Sequence, residues 1–162
     1  SAGVSKGDYD LVKTILEKRG NIEFWSVKMR PAKPLAFGLL NTPDKSKVPH
    51  IGLPGNPVSA MVAFEEFCRP AILKMLGQDT LARKRVTAIL EDSITNSDGR
   101  RVYSRVIVSD RQGRYYARLT GPQGSNLLTS MAKANGLAIC PEDTREMKPG
   151  QKAEVILLDW PE

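Results

Sequence analysis

At 162 residues, 41% of them hydrophobic and 26% charged, the chain is long enough to bury a core and falls in the range of one domain or two small ones. Its 24 Lys and Arg against 18 Asp and Glu give a net charge of +6, spread along the chain, which favours anionic ligands; aromatic residues at 6%, with no basic stripe alternating with stacking residues, argue against a nucleic-acid binder. The apolar runs fall short of the roughly 20 residues a membrane span needs, no basic-then-apolar leader opens the chain, and Cys68 and Cys140 show neither metal-ligand spacing nor a disulfide framework, so the sequence reads as cytoplasmic, with no membrane association and two buried thiols.

In chain order, Asp8 to Arg19 reads as a helix with Leu11, Val12, Ile15 and Leu16 on one face and Gly20 as its stop. Asp8 and Asp10 fall in its first turn, where carboxylates routinely cap orphan N–H groups and meet the positive end of the helix dipole. Three strands follow, Ile22 to Met29, Pro34 to Leu39 and Val48 to Leu53, separated by Pro-rich and polar turns. In the first turn Arg30 and Lys33 flank Pro31-Ala32. Taken alone this is an exposed basic turn, but prolines at 31 and 34 stiffen the backbone, and two cations on a stiff loop suit a dianion. His50, the only histidine, lies inside the third strand and reads as structural.

The stretch Gly52-Leu53-Pro54-Gly55-Asn56-Pro57-Val58-Ser59-Ala60 turns a buried strand into a helix, with Asn56 as N-cap and Pro57 at the first helical position. Backbone N–H groups gathered beside Ser59 can hold a phosphate or another tetrahedral oxyanion, although most helix starts of this composition hold only water. The helix runs to about Gly77, with Met61, Phe64, Cys68, Ala71 and Met75 at helical spacing and a kink expected at Pro70. Helices alternating with strands to this point indicate a three-layer α/β unit that needs further strands and helices to complete its sheet.

Beyond Lys84 the pattern becomes all-β. Strands are expected at Val86 to Leu90, Arg101 to Ser109, Tyr115 to Thr120, Leu137 to Cys140 and Ala153 to Leu158, with hairpin corners at Asp98-Gly99 and Gln112-Gly113, a turn at Pro149-Gly150 and a short helical turn within Ser125 to Ala134. Five short strands of this length make a small barrel or sandwich. Alternation puts Arg101, Tyr103 and Arg105 on one side of their strand, which by itself describes a solvated face.

Four segments taken together, Gly3-Val4-Ser5-Lys6-Gly7-Asp8-Tyr9-Asp10, Val27-Lys28-Met29-Arg30-Pro31-Ala32-Lys33-Pro34-Leu35-Ala36-Phe37-Gly38, the Pro54 bend, and Gly121-Pro122-Gln123-Gly124-Ser125, resemble the C-terminal half of the molybdopterin molybdenumtransferase family, which includes MoeA and the E domain of gephyrin. The resemblance implies that residues 1–80 are the C-terminal part of an α/β molybdopterin-binding-type domain and residues 81–162 a small β-barrel-like domain. It gives Asp10, with Asp8 as a secondary candidate, a catalytic role holding Mg²⁺, for which hard carboxylate oxygens are suitable ligands. It assigns Ser5, Arg30, Lys33, Pro54, Pro57, Ser59, Arg105 and Ser125 to substrate and oxyanion binding, with Arg101 a nearby competitor for Arg105. Where the family reads Lys-Pro-Gly-Lys-Pro this chain has Arg30 and Ala32; arginine keeps the charge but brings a planar fork, and alanine resists the positive φ that glycine takes freely. A family lysine just after the tryptophan is Ser26 here, so that the charge is either absent or supplied by Lys28.

For the intact family the resemblance implies that adenylylated molybdopterin and molybdate bind together, that Mg²⁺ assists cleavage of the phosphoanhydride, and that molybdenum passes to the dithiolene sulfurs as AMP leaves, in a homodimer whose sites draw on both subunits. Because family members carry long upstream domains, it further implies that these residues are a fragment, inactive alone. The alternative is a scaffold or partner-binding module of the gephyrin type, without transferase activity.

Overall fold

The computed structural model describes residues 14–15, 18–44 and 46–158. Asp8, Asp10 and Ser5 lie outside them, as does most of the expected first helix; residues 14, 15, 18 and 19 are helical. By contacts the chain divides into two units, residues 1–28 with 32–79 and residues 29–31 with 80–162.

The first unit carries an antiparallel sheet of order β1-β3-β4, built from β1 (Gly20–Ser26), β3 (Pro34–Asn41) and β4 (Lys47–Gly52). Its register pairs Ile22 with Gly38 and Trp25 with Leu35 on one side of β3, and Phe37 with Ile51 on the other. Period-two alternation then sends Ile22 and Ala36 to one face, where Phe24 and Leu40 pack against them, and Trp25, Leu35, Phe37 and Ile51 to the other. Two glycines let β1 and β3 approach closely. A Cβ on Gly38 would overlap the Asn21 carbonyl oxygen, and one on Gly20 that of Leu39, so no side chain fits at either place without moving the backbone.

The helical stretch after the Pro54 bend comes in three parts: α1 (Pro57–Ala63), a π segment (Phe64–Cys68) and α2 (Arg69–Met75). Pro70 has no N–H to give and its ring clashes with the carbonyl four residues back. The chain meets both demands by widening to π geometry ahead of it, which leaves Pro70 in the first turn of α2 where no donor is needed. The break predicted at Pro70 therefore lies just N-terminal to it. α2 ends in a Schellman motif: Leu76 caps it, Gly77 takes φ +75°, and the N–H groups of Gly77 and Gln78 donate to the carbonyls of Lys74 and Leu73 at 3.1 and 2.9 Å. Val58, Val62 and Ala63 are fully buried, whereas Met61, Phe64 and Met75, which share helical spacing with buried Cys68, are exposed.

The second unit is a five-stranded closed barrel. Strands β5 (Arg85–Leu90), β7 (Arg101–Arg111), β8 (Arg114–Leu119), β9 (Gly136–Cys140) and β11 (Lys152–Leu157) follow the order β7-β8-β5-β11-β9, and pairing of β9 back to β7 closes the ring. A closed ring leaves no barrel edge to aggregate. The interior is filled by alternate residues, among them Val102, Val106 and Val108 of β7, Ala117 of β8 and Val155 and Leu157 of β11. β7 and β8 are joined at Gln112-Gly113, both with positive φ (55° and 78°), the type I′ geometry that matches the twist of a tight hairpin.

Three two-residue strands escaped the sequence pattern, since two residues carry no period: β2 (Met29–Arg30), which adds to β7 in parallel, and β6 (Ile94–Thr95), which pairs with β10 (Glu146–Met147). They correct the hairpin expected at Asp98-Gly99. Gly99 does take φ +64°, but the strands either side of this turn do not pair with each other, because β6 is drawn off to β10.

Candidate functional site

The connection between β1 and β3 is pinched where Val27 N–H donates to the Lys33 carbonyl at 2.8 Å, and the basic turn lies beyond that pinch. Met29, Arg30 and Pro31 belong to the second unit while Ala32 and Lys33 belong to the first, so the two cations fall on different units although three residues apart. Ala32 takes φ +77°, the conformation a glycine would adopt without strain, and its methyl group is buried. Lys33 is exposed.

Arg30 uses its planar fork. Nη2 donates to the Thr95 carbonyl at 2.8 Å, Nη1 donates to Ser97 Oγ at 3.4 Å, and Nη1 lies 3.5 Å from Asp98 Oδ2. Arg100 shares that carboxylate: its Nε donates to Oδ2 at 2.9 Å, its Nη2 bonds the same oxygen, and its Nη1 donates to the Met29 carbonyl at 3.3 Å. Two guanidinium groups over one carboxylate leave one positive charge in excess. The Arg100 hydrogen bond above all, with the field of Arg30 beside it, holds the Asp98 carboxyl below the ordinary carboxylate range.

The Pro54 bend forms as the sequence predicts in outline. Asn56 is the N-cap residue, with φ −73° and ψ 125°, its carbonyl accepts from Ala60 N–H at 2.8 Å, and Pro57 opens the helix. The Asn56 side chain makes no capping hydrogen bond, because the proline after it supplies the entry conformation. Pro54 and Ser59 are buried and Pro57 is exposed.

Arg105 is 1% exposed and heads the fully buried side chains by volume. It lies on the face of β7 opposite the barrel interior, together with Tyr103, which is also buried. That face is therefore not the solvated one the alternation alone describes. The residues after β8 cover Arg105: Nε donates to Ser130 Oγ at 2.9 Å, and Nη2 donates to the carbonyls of Gly124 at 3.0 Å and Pro122 at 3.3 Å. All these partners are neutral, and burial pulls the guanidinium pKa down from its ordinary value with no carboxylate opposing it. Nη1 is the guanidinium nitrogen left without a protein partner among the described residues. Ser125 is exposed on the covering loop. Arg101, the expected competitor, is paired through Nε with Glu142 Oε2 at 3.2 Å.

The expected oxyanion residues thus divide between the units. Lys33, Pro54, Pro57 and Ser59 stand in the first, while Arg30, Arg105 and Ser125 stand in the second, where Arg30 and Arg105 answer to separate partner sets. Asp98, Arg100, Gln123 and Ser130 are polar residues of these sets that sequence reasoning did not assign. An Asp-Gly pair reads first as a turn, and a glutamine in a Gly-Pro-Gln-Gly run gives no periodic signal. Among the described residues no group of three or more His, Cys, Asp or Glu gathers as a metal site. Cys68 and Cys140 are free and buried, burial raising both thiol pKa values. His50 is partly buried in β4, its Nε2 lacking a hydrogen-bond partner among the described residues. A cavity of about 350 Å³ in the first unit, lined among others by Trp25, Leu35, Phe37, Ile51, Phe67 and Ala71, is almost wholly apolar and unsuited to an oxyanion.

Comparison with known proteins agrees with both halves of the chain. Residues 1–74 match the family described as the probable molybdopterin binding domain, and residues 87–158 match the MoeA C-terminal region, domain IV. Molybdopterin molybdenumtransferase of Haemophilus influenzae is 32% identical over 157 residues, covering 96% of this chain and 38% of the relative. Gephyrin of Dictyostelium discoideum is 34% identical over 177 residues, covering 98% of this chain and 25% of its own length. The crystal structure of a molybdopterin biosynthesis MoeA protein from Pyrococcus horikoshii superposes with a TM-score of 0.74 at 26% identity, over 93% of this chain and 35% of that one. The chain thus spans about two fifths or less of the length of these relatives. No helix among the described residues is long and apolar enough to cross a membrane. With a partial α/β unit followed by a small β-barrel, and matches in order to the probable molybdopterin binding domain and the MoeA C-terminal region, the chain is similar over nearly its whole length to a segment of the MoeA and gephyrin proteins.

Proposed function

We propose that this chain supplies part of a molybdenum-insertion site in molybdenum cofactor biosynthesis. In the intact protein, adenylylated molybdopterin and molybdate bind together, the phosphoanhydride is cleaved, AMP leaves and molybdenum passes to the dithiolene sulfurs. The observation that supports this most is Arg105: a buried guanidinium with neutral partners and a spare Nη1 is a charge awaiting an anion, and charge-assisted bonds to a tetrahedral dianion are roughly twice as strong as neutral ones. Ser125 adds a hydroxyl on the loop above it, Lys33 adds an exposed point charge, and Arg30 adds the excess positive charge of its cluster with Arg100 and Asp98. Ser59, Pro54 and Pro57 of the first unit and Ser5 of the glycine-rich segment are assigned to binding of the same substrate. Asp10 and Asp8 are the carboxylates that would hold Mg²⁺, being hard-oxygen donors, and the ion would supply charge neutralisation at the phosphoanhydride.

The assembly is a homodimer located in the cytoplasm, and these residues without the rest of the protein do not turn over. Assaying AMP release from adenylylated molybdopterin, with molybdate and Mg²⁺ present, tests this. The expected outcome is no release by the 162-residue chain and release by a full-length relative. A rate near that of the relative would overturn the fragment reading.

A further inference from the structure

The run Gly121 to Ser125 continues past the end of β8 and is fastened to β7 at Arg105. Arg105 turns its main-chain N–H and C=O toward the edge where β8 has ended, one residue beyond the last pairing of Val106 with Leu119. There the Arg105 carbonyl still accepts from Thr120 N–H at 3.1 Å and Thr120 Oγ1 at 3.2 Å, and the Gln123 side chain completes the pairing by meeting the Arg105 N–H as well. Gln123 Oε1 accepts from Arg105 N–H at 2.8 Å, while its Nε2 donates to the Arg105 carbonyl at 3.2 Å and to the Gly121 carbonyl at 2.8 Å. A paired donor and acceptor facing one residue is the pattern a neighbouring antiparallel strand would offer. The Arg105 guanidinium returns the grip through the Pro122 and Gly124 carbonyls. Main chain and side chain of one residue are thus locked to the two flanks of Gln123.

We propose that Gln123 is a positioning residue for the oxyanion site, fixing the 121–125 loop over Arg105 so that the spare Nη1 and the Ser125 hydroxyl face the same anion. The inference rests on the reading of Arg105 and Ser125 as oxyanion ligands. The chemistry explains the residue type. Asparagine is one methylene too short to span to Arg105, and glutamate keeps the acceptor but loses the donor to two carbonyls while bringing a negative charge beside the anion.

Titration of molybdate, with sulfate as control, into the 162-residue chain and its Gln123→Ala, Gln123→Glu, Arg105→Lys and Gln123→Ala/Arg105→Lys variants tests it, alongside amide exchange at Arg105. Gln123→Ala is expected to speed exchange of the Arg105 amide and to weaken molybdate binding, each by about tenfold, and to add nothing in the Arg105→Lys background. Gln123→Glu is expected to retain most of the amide protection, since Oε1 still accepts, yet to bind molybdate more weakly than wild type. Wild-type protection in Gln123→Ala, or losses that multiply in full with Arg105→Lys, would overturn the inference. If Arg105→Lys weakens molybdate binding and Gln123→Ala does not, the positioning role alone fails. If Arg105→Lys has no effect, or the wild-type chain binds no molybdate, the oxyanion reading fails and takes the inference with it.

Discussion

Ala32 pays for its position. At φ +77° an L-residue is strained by about 1–2 kcal/mol, which glycine would relieve; against that, glycine costs about 0.4–1 kcal/mol of unfolded-state entropy and removes a buried methyl worth about 0.8 kcal/mol. The terms nearly cancel, so Ala32→Gly is expected to leave stability within about 1 kcal/mol of wild type by urea denaturation, whereas branched Ala32→Val loses about 2 kcal/mol or more. Asp98 gives the pH prediction at this scale. Its pKa is lower folded than unfolded, so its contribution is fully present above the ordinary carboxylate value and is lost as pH falls through the depressed one. Acid unfolding of Asp98→Asn, followed by circular dichroism from neutral pH to pH 2, is expected to be shallower than wild type below about pH 4. An unchanged profile would detach Asp98 from the Arg30 and Arg100 cluster.

Among the elements, the β7–β8 hairpin and the β1–β3 pair are the most exacting. Gln112 holds φ 55° ahead of Gly113, a place where asparagine is favoured, so Gln112→Asn is expected to stabilise by about 0.5 kcal/mol, read as a raised urea midpoint with unchanged m value. Gly38→Ala pushes a carbon into the Asn21 carbonyl and is expected to cost about 3 kcal/mol; a loss under about 1 kcal/mol would mean that β1 and β3 are more widely spaced than described. At this scale much was legible in the sequence. Alternation and turn chemistry located β5, β7, β8, β9 and β11 to within a residue or two, and Gly77 marked the helix stop. The rest was hidden for identifiable reasons. The π segment answers a clash at Pro70 that periodicity does not register, and the pairing of β6 with β10 joins residues about fifty apart that share no local signal. The chemistry at Arg105 was half legible: the residue could be chosen from the motif, but its burial depends on a loop that folds back from residues 120–130, and Gln123 bonds through side-chain atoms that no pattern of apolar residues reveals.

For the molecule as a whole, the basic residues are shared between two units, and the 29–31 segment that belongs with the barrel interrupts the chain of the α/β unit. Neither unit holds the complete set of expected ligands, which is why the anion itself is the informative probe. Calorimetric titration of molybdate into this chain, with sulfate as the control anion, measured beside a Lys33→Ala/Arg105→Lys variant that keeps a donor under the 121–125 loop, tests the central claim most directly. The account predicts molybdate binding by the wild-type chain, in preference to sulfate, that is lost in the variant. Equal binding by both proteins, or none by the wild-type chain, would contradict it.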